Sequence, residues 1–419
     1  MIRLKLLPFL ILLAMVSISA IAQHNTLTKG EIDEGWVLLF DGKTSDGWRG
    51  FKMDKMPTDW SVVDGCLVAQ GTGGGETAND IITVAQYEDF DLHLEWAIAP
   101  EGNSGILFHI LEEGYPSTYA SGPEYQLIDD IGFPYKLEEW QQTGANYAMH
   151  NADQSKKKLM PAGEFNSSRI RCEDGHVTHW LNGEIIVEYE LWTDEWFKLA
   201  REGKWKDYPG YGLARKGYIG LQDHGSNVHF RNIKIKDLTD RGIALFNGTD
   251  LSGWKNHGEE KWYVEDGMLI GASGSQGGYG YLATEKEYYN FILRVKFRLE
   301  EDGNSGIFFR SKLDGTDIKG WQAEVAPPGY NTGAIYESGG RGWLNEIPDD
   351  RENILKPDEW NDMVVLLKDG RVMTWLNGEM MTRLTDEAIA EGRGVIALQV
   401  HSGGSVAVKW RDIYLKVEN

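Results

Sequence analysis

The sequence predicts an all-β chain folded as two tandem β-sandwiches, and three observations predict it. Blocks of sequence recur in the same order near a two-hundred-residue period, which marks duplicated domains rather than a solenoid. Segments within each copy are short and alternate apolar with polar residues, the period of strands with one buried face. Glycine is abundant at 50 of 419 residues and proline modest at 12, a balance that suits many tight turns.

In chain order, Arg3 and Lys5 precede an apolar run from Leu6 to Ala20, and Ala20-Ile21-Ala22 before Gln23 reads as a small-x-small cleavage site. Residues 1–22 are therefore expected to be a signal peptide, and the mature chain to be periplasmic or secreted. No Cys follows the site, which argues against a lipoprotein. No later segment is apolar and long enough to span a bilayer.

The first copy is expected over residues 35–237 and the second over 242–417, joined by a short polar link. Val37-Leu38-Leu39-Phe40-Asp41-Gly42 returns as Ile243-Ala244-Leu245-Phe246-Asn247-Gly248, and Trp60-Ser61-Val62-Val63-Asp64-Gly65 as Trp262-Tyr263-Val264-Glu265-Asp266-Gly267. Gly102-Asn103-Ser104-Gly105-Ile106 returns as Gly303-Asn304-Ser305-Gly306-Ile307, and Thr143-Gly144-Ala145 as Thr332-Gly333-Ala334. Trp180-Leu181-Asn182-Gly183-Glu184 returns as Trp375-Leu376-Asn377-Gly378-Glu379, and Leu221-Gln222-Asp223-His224 as Leu398-Gln399-Val400-His401. The spacing between copies drops from 195 (Trp180 to Trp375) to 177 (Gln222 to Gln399), so the first copy holds 18 extra residues within 191–213. Trp192, Trp196, Phe197 and Leu199-Ala200 give that insertion a partly helical, aromatic character. It is either a flap over a binding face or an elaboration packed on the sandwich edge.

Asp91-Leu92-His93-Leu94-Glu95-Trp96 and Leu293-Arg294-Val295-Lys296-Phe297 read as strands with one buried face. Asp174-Gly175 and Asp369-Gly370 sit between strand patterns as hairpin turns. The glycine runs at 73–75 and 277–278 lack a strand-to-helix context and read as loops, and no phosphate loop, dinucleotide fingerprint or nucleophile elbow appears.

Hydrophobic residues at 41% and charged residues at 25% supply two cores. The formal charge is -22, which deepens by two if Arg3 and Lys5 are removed, so the surface repels nucleic acid and anionic lipid. The 16 Trp and 18 Tyr serve sandwich cores first and sugar platforms second. Cys66 and Cys172 could form one disulfide in an oxidising compartment. Buried thiols are the preferred reading, because the two positions fall opposite Met268 and Leu367 in the other copy.

As a set, Phe-Asp-Gly…Gly-Trp, Gly-Asn-Ser-Gly-Ile, Glu-Tyr-Gln-Leu, Thr-Gly-Ala, His-Trp-Leu-Asn-Gly and Gly-Leu-Gln-Asp-His-Gly…Phe-Arg-Asn-Ile resemble the 3-keto-disaccharide hydrolase domain family. The resemblance is close over 35–237 and looser over 242–417. It implies a concanavalin-like jelly roll in each copy, with one curved sheet face that holds a glycan. It also implies action on glycosides whose sugar carries a 3-keto group, so a glycoside or oligosaccharide is the expected partner.

A 3-keto group acidifies the hydrogen on C2. Its removal gives an enolate that can expel the C1 substituent, after which water adds back. The route needs a base near C2, a donor for the enolate oxygen and an acid for the leaving oxygen. It does not need the carboxylate pair of ordinary glycoside hydrolysis. By analogy with the fold, concanavalin-like glycosidases commonly carry Glu-x-Asp-x-x-Glu on one strand. Here Glu124-Tyr125-Gln126-Leu127-Ile128-Asp129 stands in that place, which disfavours double displacement.

Strand alternation puts Glu124 and Gln126 on one face, and Gln222 and His224 on one face. His109, Glu124, Gln126, His179, Asn182, Gln222 and His224 are expected to converge on the concave sheet. His179 or His224 would be base or acid, since imidazole titrates near neutrality, with Glu124 as its partner or as the second proton-transfer group and His109 as a further catalytic candidate. Arg171 or Arg231 would hold sugar hydroxyls or the enolate oxygen. Arg231 recurs as Arg411, which equally suits a structural ion pair. The second copy has Arg310 for His109, Gln322 for Glu124, Glu324 for Gln126 and Thr374 for His179, keeping only His401 for His224. It is therefore expected to be degenerate or glycan-binding. No cofactor is predicted, although Asp129-Asp130 offers oxygen ligands a calcium ion could take. The competing readings are a non-catalytic tandem carbohydrate-binding protein and a structural protein of the envelope.

Overall fold

The computed structural model describes residues 24–72, 79–301, 303–403 and 405–418. The expected signal peptide and the glycines at 73–75 lie outside the described residues. The predicted fold class is found: four antiparallel sheets pair face to face as two sandwiches with little helix.

In the first sandwich the outer sheet runs Glu184–Glu190, His176–Leu181, Asn166–Glu173, Phe90–Ile98, Asn227–Asp237, Cys66–Gln70, Trp60–Val63, with Trp36–Leu38 also paired to Asn227–Asp237. The inner sheet runs Trp48–Gly50, Ile81–Tyr87, Gly217–Leu221, Asn103–Ile110, Glu124–Ile128. The core lies between them and includes Leu92, Leu94 and Trp96 from one side and Ile106, Phe108, Tyr125 and Leu127 from the other. The second sandwich repeats the plan, with Ser305–Asp314, Asp317–Val325 and Val395–Val400 in its inner sheet. Even small devices are repeated. The Trp48 indole donates to the Leu39 carbonyl at 2.6 Å, and Trp254 donates to Leu245 at 2.7 Å.

The turns explain part of the sequence pattern. Asp174 and Gly175 both have positive φ (50° and 91°), as do Asp369 and Gly370 (48° and 83°), the conformation that a two-residue hairpin of type I′ demands. Both cysteines are buried, unpaired thiols on the outer sheet. Among the described residues, no helix is long and apolar enough to cross a membrane.

The insertion forms a helix, Asp194–Glu202, and a 3-10 turn, Lys204–Asp207. Thr193 caps the helix by accepting from the Trp196 amide at 3.1 Å. Stacked rings of Tyr189, Trp196, Tyr211 and Trp205 bind the insertion to the sandwich edge. It also meets the second sandwich: Trp192 packs edge-on against Trp375 at 5.1 Å, and the Trp375 indole donates to the Leu213 carbonyl at 3.0 Å. Nearby, Arg215 pairs with Glu88 at 2.6 Å and Arg294 reaches the same carboxylate at 2.8 Å. Burial alone would raise the Glu88 pKa, but the two guanidiniums outweigh it and hold it down to about 2.

Candidate functional site

The outward face of the first inner sheet carries a cavity of about 380 Å³. Alternation along Glu124–Ile128 puts Tyr125 and Leu127 in the core and Glu124 and Gln126 in this cavity. Gly105, on the neighbouring strand opposite Gln126, leaves the room that the Glu124 carboxyl occupies, because a Cβ there would overlap it. Gln222 follows the adjacent strand Gly217–Leu221, with Asp223 and His224 after it at the cavity wall. His224 is exposed.

Glu124 is only 4% exposed. Burial pushes its pKa up to about 8, against the pull of the Lys204 ammonium and with a contribution from Asp80. The group is therefore largely protonated at neutral pH. Asp80, also buried, is raised by burial to about 6, although it accepts from the Thr118 hydroxyl and, at 2.9 Å, from the Asp223 amide. Lys204, delivered by the insertion, donates to the Tyr147 hydroxyl at 2.8 Å. Burial lowers its pKa while Glu124 opposes that shift. Gln126 donates to the Asn103 side chain at 2.7 Å. Gln222 keeps its side-chain oxygen buried without a partner, an acceptor left over for a ligand hydroxyl. Trp205, Tyr119 and Tyr208 add aromatic walls.

Of the expected site residues, Glu124, Gln126, Gln222 and His224 line the cavity. The others do not, and each has a structural occupation. His179 is fully buried between the sheets, where Nδ1 donates to the Gly144 carbonyl at 3.0 Å and Nε2 accepts from Tyr189 at 3.3 Å. In the second copy Thr374 donates to the equivalent Gly333 carbonyl at 2.6 Å, so both residues hold the same turn. His109 lies at a bulge with φ of 52°, which turns its ring inward against Phe90 and Phe108. Its Nε2 donates to the Glu88 carbonyl at 2.7 Å, and burial lowers its pKa to about 4, as it does for His179.

Asn182 occupies a turn with φ of 49° and accepts from the Ser167 amide at 2.7 Å. Arg171 pairs with Glu173, and Arg231 pairs with Glu95 at 2.7 Å over the Phe165 ring, both on the outer sheet. Asp129 and Asp130 accept from the Glu101, Gly132 and Thr143 amides and from Lys157, commitments that do not suit a calcium cage. Among the described residues, no cluster of three or more His, Cys, Asp or Glu is arranged to hold a metal.

Sequence reasoning missed Lys204, Tyr147 and Asp80. The insertion was the available signal for Lys204, since it is the main length difference between copies. Both readings of that segment hold: it packs on the sandwich edge, and it brings Lys204 over Glu124.

The chain is similar to several known proteins. The family model for the 3-keto-alpha-glucoside-1,2-lyase-like domain matches residues 35–236 and again 242–416. A Bacteroides thetaiotaomicron protein named 3-keto-disaccharide hydrolase is 34% identical over 253 residues, covering 52% of this chain and 87% of the relative. A Parabacteroides distasonis crystal structure, described provisionally as a glycosyl hydrolase, is 41% identical, covering 52% of this chain and all of that one, with a TM-score of 0.49. A carbohydrate-binding module from Bacillus subtilis is 14% identical, covering 39% of this chain and 95% of that one, with a TM-score of 0.32. With both sandwiches matched, the chain belongs to the 3-keto-alpha-glucoside-1,2-lyase-like domain family and carries two copies of its domain.

Proposed function

We propose that the first sandwich cleaves 3-keto-glycosides by elimination across C2 and C1 followed by addition of water. The observation that carries this reading is the buried, largely protonated Glu124 carboxyl beside the Lys204 ammonium in a sugar-sized cavity.

The roles follow from charge. His224, exposed at the cavity wall, takes the C2 proton. As the C2–H electrons move into the C2–C3 bond, negative charge gathers on the C3 oxygen, where the Lys204 ammonium stabilises it. The enolate then re-forms the ketone and expels the C1 substituent, and Glu124 gives its proton to the departing oxygen. Water closes the cycle: its oxygen bonds to C1, and C2 recovers a proton. The net change is one glycoside and one water to a free 3-keto sugar and an alcohol. No carboxylate needs to be a nucleophile on this route, which agrees with an amide rather than an acid at Gln126. Gln126 and Gln222 hold hydroxyls, and the aromatic walls cover the ring faces.

The test is to incubate the full chain with a 3-keto-disaccharide and follow the free 3-keto sugar and any unsaturated intermediate. Glu124→Gln is expected to reduce kcat by roughly 10²–10⁴ while the ligand still binds. Wild-type binding without turnover would favour the binding-module reading instead, and an unchanged kcat in Glu124→Gln would remove the acid from its role.

A further inference from the structure

The second sandwich has a cavity of its own on the corresponding inner-sheet face, about 490 Å³ in volume. Gly306 leaves room for Gln322 as Gly105 does for Glu124, so the two strand pairs share their register with the acid and the amide exchanged. Gln322 donates to Glu324, which is 5% exposed. Gln399 stands where Gln222 does, and, like Gln222, it keeps a buried side-chain oxygen with no partner. The Asn304 oxygen is also buried and unpartnered, whereas its counterpart Asn103 accepts from Gln126. Two unsatisfied acceptors converge on one pocket, and leaving such groups dry is costly.

The walls complete the description. Trp343, 40% exposed, meets the Tyr336 ring edge-on at 5.1 Å, and Tyr279 is 41% exposed opposite, its hydroxyl donating to His401 at 3.2 Å. Among the described residues, no Lys or Arg lines this cavity, and the insertion that carries Lys204 has no counterpart in the second copy. Exposed aromatics, donor-hungry amide oxygens and the absence of any cation suit a neutral, polyhydroxylated ligand and repel an anionic one.

We infer that the second sandwich holds a separate binding site for a neutral glycoside, formed by Gln399, Asn304, Glu324 and Trp343, that captures sugar without cleaving it. This rests on the glycoside reading of the first site for its ligand class. It departs from that reading in chemistry, because nothing in the second cavity supplies the ammonium that would stabilise an enolate.

The experiment is calorimetric titration of the full-length Glu124→Gln chain with a 3-keto-disaccharide and, separately, with its non-oxidised parent disaccharide. Stoichiometry is compared with and without Trp343→Ala, a change at an exposed ring, and Gln399→Ala, a change at the orphaned acceptor. Either second-site substitution is expected to remove one binding site per chain, or to weaken one at least tenfold, and the heat that is lost should be insensitive to salt. An unchanged stoichiometry and affinity in both variants would overturn the site. Residual turnover in Glu124→Gln that disappears with Glu324→Gln would overturn its non-catalytic character. Neither result depends on the wild-type rate, so loss of this inference is distinguishable from loss of the proposed reaction.

Discussion

Replacing Glu124 by Gln tests the protonated carboxyl without any substrate. The side chain titrates near 4.5 in an unfolded chain and about 8 in the native cavity. Between those values the native state holds a proton that the unfolded state has released, so stability falls as pH rises, and below 4.5 the residue's contribution is fully restored. At about 1.4 kcal/mol per pH unit, a raised pKa of this size removes about 5 kcal/mol in all, of which about 3 is already lost at pH 7. Gln is neutral in both states and lacks this slope. The stability of Glu124→Gln relative to wild type should therefore climb by about 4 kcal/mol from pH 5 to pH 9. Asp80 and Glu324 titrate in both proteins and largely cancel in the difference. Urea unfolding followed by tryptophan fluorescence at pH 5, 7 and 9 measures it. With a slope of about 3 kcal/mol/M, the pH 7 term alone is worth about 1 M in midpoint. Parallel curves for the two proteins, with a gap constant to about 0.5 kcal/mol, would refute the claim that Glu124 is held neutral.

Other outcomes follow from the same geometry. The alkaline limb of kcat should fall near the Glu124 pKa of about 8, and Lys204→Met should move it upward, since the ammonium opposes protonation; a pH–rate profile reads both. His179→Ala should cost roughly 2–4 kcal/mol in unfolding experiments, through the void and the stranded Gly144 and Tyr189 groups, while kcat per folded molecule is retained. Arg215→Ala should destabilise by about 3–5 kcal/mol, because Glu88 would lose one of its two buried partners. Reductant should leave the thermal midpoint unchanged, since Cys66 and Cys172 are separate thiols.

The fold was legible because its signals are local and doubled: six repeated blocks, strand alternation, and Asp-Gly turns whose positive φ is written in the residue types. The Glu124–Gln126 and Gln222–His224 pairs were legible for the same reason. The misplaced imidazoles failed in two different ways. His179 shares strand parity with Val177 and Leu181, which point into the core, so its inward direction was readable and was outweighed by its chemistry. His109 was not readable in this way, because a bulge at its own position breaks the alternation that predicts its face. Lys204 came from a turn with no strand period, and only its approach to Glu124 in three dimensions reveals it.

The wedge between the sandwiches has a consequence for how the halves can be used. Trp192 and Leu213 bracket the segment that carries Lys204, and both rest on Trp375, while Arg383 reaches from the far side to Asp194. Cutting the chain after the linker would strip this backing away and leave an indole face and a carbonyl facing water. Separated from the second sandwich, the segment that carries Lys204 would lose the Trp375 and Arg383 contacts that brace it.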